Sequence, residues 1–468
     1  MSAIWKGYCR RPRTQCPKHS SRRLLRRYKL PSPATHNASA NELMLLARYH
    51  EQQVRAREQV DTELLLKVIE LYRSAIELDP ESALAHSRLA GALLYLGDLE
   101  AAEAPIYRAL SLDPESSEVQ HTRGLYFFAR GDPEALSAFR RAVELNPNNA
   151  DALESYAYAL WMQRYQDQVA PLFRRALELD PLALPRYGAL GELLGKEGKS
   201  AEVYELIDRI EELFDGPEAC RVVSRLYALT GDVDRAIAWA IRARDLEPDN
   251  RDHVWWLAQL HVDIGDFDTA LKLMPQPSVG ILYQMRRYED VIEIAEELMI
   301  DEPDDIDLRY LLAFAYNATA RYESAIWILG STGQPGIVMD LPRMGADWEG
   351  FFTLVNAVNG AGDRELAARL AAWYVGETRH HENADWFVEV HMACMMGMLG
   401  RDAEALEKLE LARRSPRLVD PARLMDMPCF DRFQDTPEYQ ATIDHFDARR
   451  AALRERLPAT LAEFGVSL

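Results

Sequence analysis

Histidines, cysteines and paired carboxylates are the groups in this chain that could do chemistry, and their spacing decides whether they can act together. The densest imidazole cluster is His380-His381-Glu382 with His391. A metal site would need two ligands and a third group on one helical face, which this spacing does not supply. Polar residues at a helix–helix junction are the simpler reading. Cys9, Cys16 and His19 lie near one another but match no zinc-binding spacing. The five cysteines (Cys9, Cys16, Cys220, Cys394, Cys429) are scattered and odd in number, which predicts free thiols in a reducing cytosol rather than a disulfide framework. Glu211-Glu212 and Asp304-Asp305 read as solvated faces or helix-start charges. Met395, Met396 and Met398 read as core packing. No Gly-rich phosphate loop, G-x-S-x-G elbow or HExxH motif occurs. We therefore expect no catalytic residues, no cofactor and no metal.

What would have to position any site is a stretch in which one short pattern is written three times. The copies run from Ala83 to Pro114, Ser117 to Pro147 and Ala150 to Pro181. The prolines Pro80, Pro114, Pro147 and Pro181 stand 34, 33 and 34 residues apart. Small residues Ala90, Gly124 and Ala157 allow two helices to approach closely, with large apolar residues at helical spacing on either side. Gly97-Asp98 and Gly131-Asp132 punctuate a turn inside each copy, and an Asp-Pro or Asn-Pro pair ends the second helix. One such unit cannot bury its apolar face alone, so neighbours must stack.

The copies carry Leu89, Ala90, Leu93, Ala102, Ile106, Ala109 and Pro114 in the first, and Gly124, Phe127, Ala135, Phe139, Ala142 and Pro147 in the second. The third has Tyr156, Ala157, Leu160, Val169, Phe173, Ala176 and Pro181. In this register the chain resembles the tetratricopeptide-repeat family. The resemblance implies an all-α, right-handed superhelical solenoid of stacked antiparallel helix pairs, whose first helices line a concave surface. The ends of the array are similar to the repeat regions of bacterial class III adenylate or guanylate cyclases and of winged-helix transcriptional activators. The segments concerned are THNASANELMLLARYH, WEGFFTLVNAV and FDRFQDTPEYQATI. In those proteins the repeats are the regulatory half; here we expect no catalytic or DNA-binding half ahead of them, so the output activity is not carried over.

At 468 residues the length suggests about three domains, a prior that a solenoid overrides. The composition, 48 % hydrophobic and 27 % charged, is that of a soluble helical protein. No apolar run approaches the ~20 residues needed to span a bilayer, and the basic N-terminus lacks the apolar core of a secretory signal. The net charge is −20, yet residues 1–41 hold ten Lys and Arg and no acid, so the remainder carries −30. So acidic a body disfavours nucleic acid or anionic membrane as its main partner.

Residues 1–41 are expected to be a disordered basic tail. Its cluster admits three readings: a solvated tail or extended translation start, a nucleic-acid or acidic-lipid contact, or an organellar transit peptide. Residues 42–330 are expected to form the repeat solenoid. Gly330 to Asp347, with four Gly and two Pro, breaks the pattern, so 331–347 is predicted to be an interrupting loop, a hinge or an insertion. Residues 348–468 are expected to hold degenerate repeat-like helices and a C-terminal capping helix.

Just outside the packing positions of the first helices sit Tyr95, Phe128, Tyr158 and Trp161, and further along Trp255, Trp256, Tyr310 and Phe314. Large apolar groups not needed for packing suggest a groove for a peptide or helix; the competing reading is that they fill gaps between units. A charged clamp for an acidic peptide tail is absent, since that face offers Ser87, Arg88, Gly91, His121, Glu154 and Ser155. The expected protein is thus a non-enzymatic, cytoplasmic, bacterial interaction scaffold or regulatory module with a protein partner. The alternatives are an enzyme or accessory subunit with a site in 331–468, and a regulator that takes nucleic acid on its basic tail.

Overall fold

The computed structural model describes the chain except residues 1–36, 56–60, 163–165, 302, 304, 331–347, 379–385 and 418–424. The expected loop at 331–347 and nearly all of the basic tail lie outside the described residues. Within 1–41, one boundary shifts: the first helix begins at Ala38, because the Asn37 side chain accepts from the backbone N–H groups of Ser39 and Ala40 and caps it. The chain divides into two compact units, residues 1–164 and 165–468.

In the first unit the helices are α1 (Ala38–Arg55), α2 (Thr62–Leu78), α3 (Ala83–Leu96), α4 (Leu99–Leu112), α5 (Ser117–Ala129), α6 (Glu134–Leu145) and α7 (Ala150–Met162). The second begins with α8 (Gln166–Leu179), α9 (Leu184–Lys196), α10 (Ser200–Leu213), α11 (Pro217–Thr230), α12 (Val233–Leu246), α13 (Arg251–Asp263) and the short α14 (Phe267–Leu273). It continues through α15 (Val279–Gln284), α16 (Tyr288–Asp301), α17 (Ile306–Ala318), α18 (Tyr322–Gly330), α19 (Trp348–Gly360), α20 (Arg364–Thr378), α21 (Trp386–Met398) and α22 (Asp402–Arg413). A 3₁₀ turn at Pro428–Phe433 precedes the 28-residue α23 (Pro437–Phe464). Among the described residues there is no strand. The fold is an all-α stack of helix pairs.

Local chemistry sets these boundaries. Asp98 accepts from the Ala101 N–H at 2.9 Å and caps α4, while Gly97 takes the left-handed conformation (φ 87°) that turns the chain out of α3. Asp79, Asp113 and Asn146, each before a proline, are extended (φ −144°, −148° and −142°), so α2, α4 and α6 end there. Between pairs the first helices are tied to one another by side chains roughly one repeat apart. Ser87 meets Thr122 at 2.8 Å, His121 meets Ser155 at 2.9 Å, and Trp256 donates to Ser224 at 2.8 Å.

The small positions lie where helices touch. Ala90 and Ala157 are wholly buried, and a Cβ added at Gly124 would fall 2.5 Å from the ring of Phe139. Gly124→Ala is therefore a test of signs. Helix propensity favours alanine by about 0.5–1 kcal/mol, and overpacking opposes it by about 1–3 kcal/mol. Urea denaturation should show a net loss of stability. A gain would mean that Phe139 can yield and that the close approach is not required.

Candidate functional site

The first helices α3, α5 and α7 of the first unit carry a small, open polar cleft between them, bounded on one side by α1. Glu51, Arg88, Glu118, His121, Thr122 and Asp151 are among its walls. Part-buried hydrogen bonds fix its lining: Ser87 Oγ donates to the Glu118 carbonyl at 3.2 Å, and Asn149 donates to Ser117 Oγ at 2.9 Å. The Tyr72 hydroxyl donates to Glu51 Oε2 at 2.7 Å, and Arg88 stands 3.8 Å from the same carboxylate. Burial, and then the charge of Glu51, push the Tyr72 hydroxyl far above its ordinary range, so it stays a donor. Gly91 leaves open space where a side chain would stand. These groups can hold polar atoms in fixed places, and His121 is held in turn by the Ser155 hydroxyl at 2.9 Å.

In the last turn of the same three helices sit the aromatics. Tyr95 is 44 % exposed and Phe128 is 41 % exposed, the latter with its ring 6.3 Å from that of Phe139. Tyr158 and Trp161 are half-buried and meet edge to face at 6.4 Å. Each first helix of this unit thus offers a polar stretch followed by an aromatic end.

The second unit does not repeat this arrangement. Trp255 is 41 % exposed and donates to Ser278 at 3.3 Å. Trp256 is half-buried, and its bond to Ser224 joins α13 to α11. Tyr310 is half-buried. Phe314 overturns its reading outright: it is 2 % exposed and its edge meets the Tyr283 ring at 5.1 Å. In α17 every residue from Leu312 to Asn317 is buried, so the helix is enclosed on all sides and has no free face there.

His380, His381 and Glu382 lie outside the described residues. His391 is fully buried, stacked 3.7 Å from the Phe352 ring, with Tyr374 Oη 3.2 Å from Nδ1. Burial holds its pKa well below the ordinary value, so it is a neutral core residue. Met395 and Met396 pack in the same core. Among the described residues no cluster of His, Cys, Asp or Glu could hold a metal, and no helix is long and apolar enough to cross a membrane.

The expectation of free thiols fails for two of the five cysteines. Cys394 on α21 and Cys429 in the 3₁₀ turn are joined in a buried disulfide with a Cα–Cα distance of 5.4 Å. Cys220 is free and buried; Cys9 and Cys16 lie outside the described residues. Odd number and scatter misled, because the chain returns upon itself after α22 and brings together positions 35 residues apart.

A tetratricopeptide-repeat family model matches residues 69–117, 121–183 and 224–274. Among solved structures, PilF of Pseudomonas aeruginosa is 19 % identical, with 47 % of this chain and 97 % of that one covered and a TM-score of 0.35. PilW, described as a widely conserved type IV pilus biogenesis factor, is 18 % identical over 46 % of this chain and 96 % of its own, with a TM-score of 0.36. A thermophilic repeat protein of Thermus thermophilus is 22 % identical over 38 % of this chain and 98 % of its own, with a TM-score of 0.33. Residues 69–117, 121–183 and 224–274 are thus tetratricopeptide repeats, set in an all-α stack of helix pairs that continues beyond them.

Proposed function

We propose that the chain is a non-enzymatic scaffold or regulatory module that binds a partner peptide or helix along α3, α5 and α7. The observation that carries this reading is the row of aromatics at the ends of those helices. Tyr95 and Phe128 keep 44 % and 41 % of their surface exposed beside a polar cleft, in a unit whose core is already filled by Tyr72, Phe139 and Leu93. Aromatic side chains that are not core, next to fixed polar groups, are what a peptide-binding surface needs: apolar anchors for affinity and hydrogen bonds for register. Tyr158 and Trp161 extend the row. In the second unit Trp255, Trp256 and Tyr310 remain members of the set, whereas the buried Phe314 leaves it. The acidic body makes a protein, rather than nucleic acid, the favoured partner. Tetratricopeptide-repeat proteins generally work through such contacts, and the regulatory reading of the array assigns the output to the partner.

The double replacement Phe128→Ala with Trp161→Ala tests this. Loss of a central aromatic anchor costs about 2 kcal/mol or more, so affinity for a partner captured from native lysate by the unaltered chain should fall about 1,000-fold if the two losses add, and at least about 30-fold if only one ring is an anchor. Far-UV circular dichroism and melting temperature should change little. Retained capture together with a loss of several degrees in melting temperature would show that these rings pack repeats and that the partner binds elsewhere.

A further inference from the structure

α23 does more than close the open end of the stack. It runs back along the second unit and contacts residues about 190 to 226 positions earlier in the chain. Three of its residues, Arg456, Thr460 and Phe464, stand at i, i+4 and i+8 and therefore share one helical face. Each is read by a residue of α12. Arg456 makes a two-pronged bond to Asp234, with Nε to Oδ2 at 2.8 Å and Nη2 to Oδ1 at 2.5 Å. Thr460 Oγ1 donates to the same carboxylate at 2.6 Å. The Phe464 ring meets Trp239 edge to face at 6.4 Å, and the Arg242 guanidinium lies 4.7 Å and 5.1 Å from the two ring centres.

Two features distinguish this contact from core packing. First, the buried seam of α23 is Tyr439, Thr442, Phe446, Arg450, Leu453, Leu457 and Thr460, so three of its seven members are polar. Several of its other bonds run from arginines to backbone carbonyls: Arg449 to Ser415 and Pro416, and Arg454 to Ile264. Such contacts specify geometry more than they supply apolar burial. Second, the fit is incomplete. The Trp239 ring is only half-buried beneath α23, so the cover is partial. α12 is meanwhile supported without α23, by its hairpin partner α11 and by α13.

We propose that this face of α12 is a second protein-binding surface. Its ligand class is an amphipathic helix bearing arginine, a hydroxyl residue and an aromatic at i, i+4 and i+8, and α23 is its built-in, displaceable occupant. Binding of an external helix of this pattern releases the C-terminal segment. The proposal concerns the second unit only and stands or falls independently of the aromatic row on α3, α5 and α7.

The full-length chain suffices for the test. Arg456 is 54 % exposed, so Arg456→Ala should fold. Hydrogen exchange of residues 449–464 should then quicken at least ten-fold, with α2 to α4 unchanged as internal reference and Arg456→Lys falling between. A fluorescein-labelled synthetic peptide of residues 446–468 should bind the Arg456→Ala chain at least ten-fold more tightly than the unaltered chain. It should not bind Asp234→Asn, in which the helix is also loosened but the reader is lost. Unchanged exchange in Arg456→Ala would overturn the proposal, as would loss of protection throughout α8 to α18 together. So would equal peptide binding by the Arg456→Ala and Asp234→Asn chains.

Discussion

Replacing Cys429 with serine is expected to lower the unfolding free energy by about 3–4 kcal/mol, the chain-entropy value for a loop of this length. The bond to Cys394 closes a segment of 35 residues. That segment includes α22 and the return to the 3₁₀ turn that seats Phe430 and Phe433 in the core with Phe351, Tyr374 and Met395. Without the bond, ordering the return must be met by packing alone. Urea denaturation of the purified chain, with and without a dithiol reductant, measures the effect. Reductant should shift the unaltered protein by the same amount as the substitution and leave the substituted protein unmoved. Thiol titration in denaturant without reductant should find two fewer thiols than the five cysteines. A full count of five, or no response to reductant, would show that the pair is not joined in the isolated protein.

The bond bears on where the chain works. Scattered thiols were the ground for expecting a reducing cytosol, and that ground no longer holds for Cys394 and Cys429. Stable disulfides belong to oxidising compartments. In a reducing compartment the two sulfurs would stand as buried neighbouring thiols, and the segment from α22 to α23 would be held less firmly.

Much of the fold is legible in the sequence because it is local. A period near 34, small residues at helix crossings and an extended Asp or Asn before proline determine helix pairs within a few dozen residues. Ala90, Gly124 and Ala157 are all buried where the period puts them. What the sequence hides is whatever depends on the path of the chain between distant segments. Asp234 and Arg456, 222 residues apart, are two ordinary charges on polar helix faces until α23 runs back across α12. His391 looks like part of a polar cluster until Phe352 and Tyr374 enclose it. The aromatic row is an intermediate case. The repeat register finds Tyr95 and Phe128 near the ends of α3 and α5, but in α17, where every residue from Leu312 to Asn317 is buried, the same register gives no sign of which residue faces out.

The expected contrast between Phe314 and Phe128 follows from that difference. Both stand late in the first helix of a pair, and both read as groove residues in the sequence. Phe314 is 2 % exposed and packed against Tyr283, within the cluster that contains Leu312, Tyr316 and Phe351; Phe128 is 41 % exposed. Truncating a buried phenylalanine removes its transfer free energy and leaves a cavity, about 3–5 kcal/mol in all. Phe314→Ala should therefore lower the urea midpoint substantially without altering any contact that a partner makes on α3, α5 and α7. Phe128→Ala has only part of a ring–ring contact with Phe139 to lose, so its cost in stability should stay near about 1 kcal/mol, while its effect on partner binding should be the larger one. Denaturation curves and partner titrations on the two single variants give a two-by-two comparison. Comparable losses of stability would mean that Phe128 is core in solution. Comparable losses of binding would mean that the partner senses the second unit as well, and that binding is not confined to the aromatic row of the first.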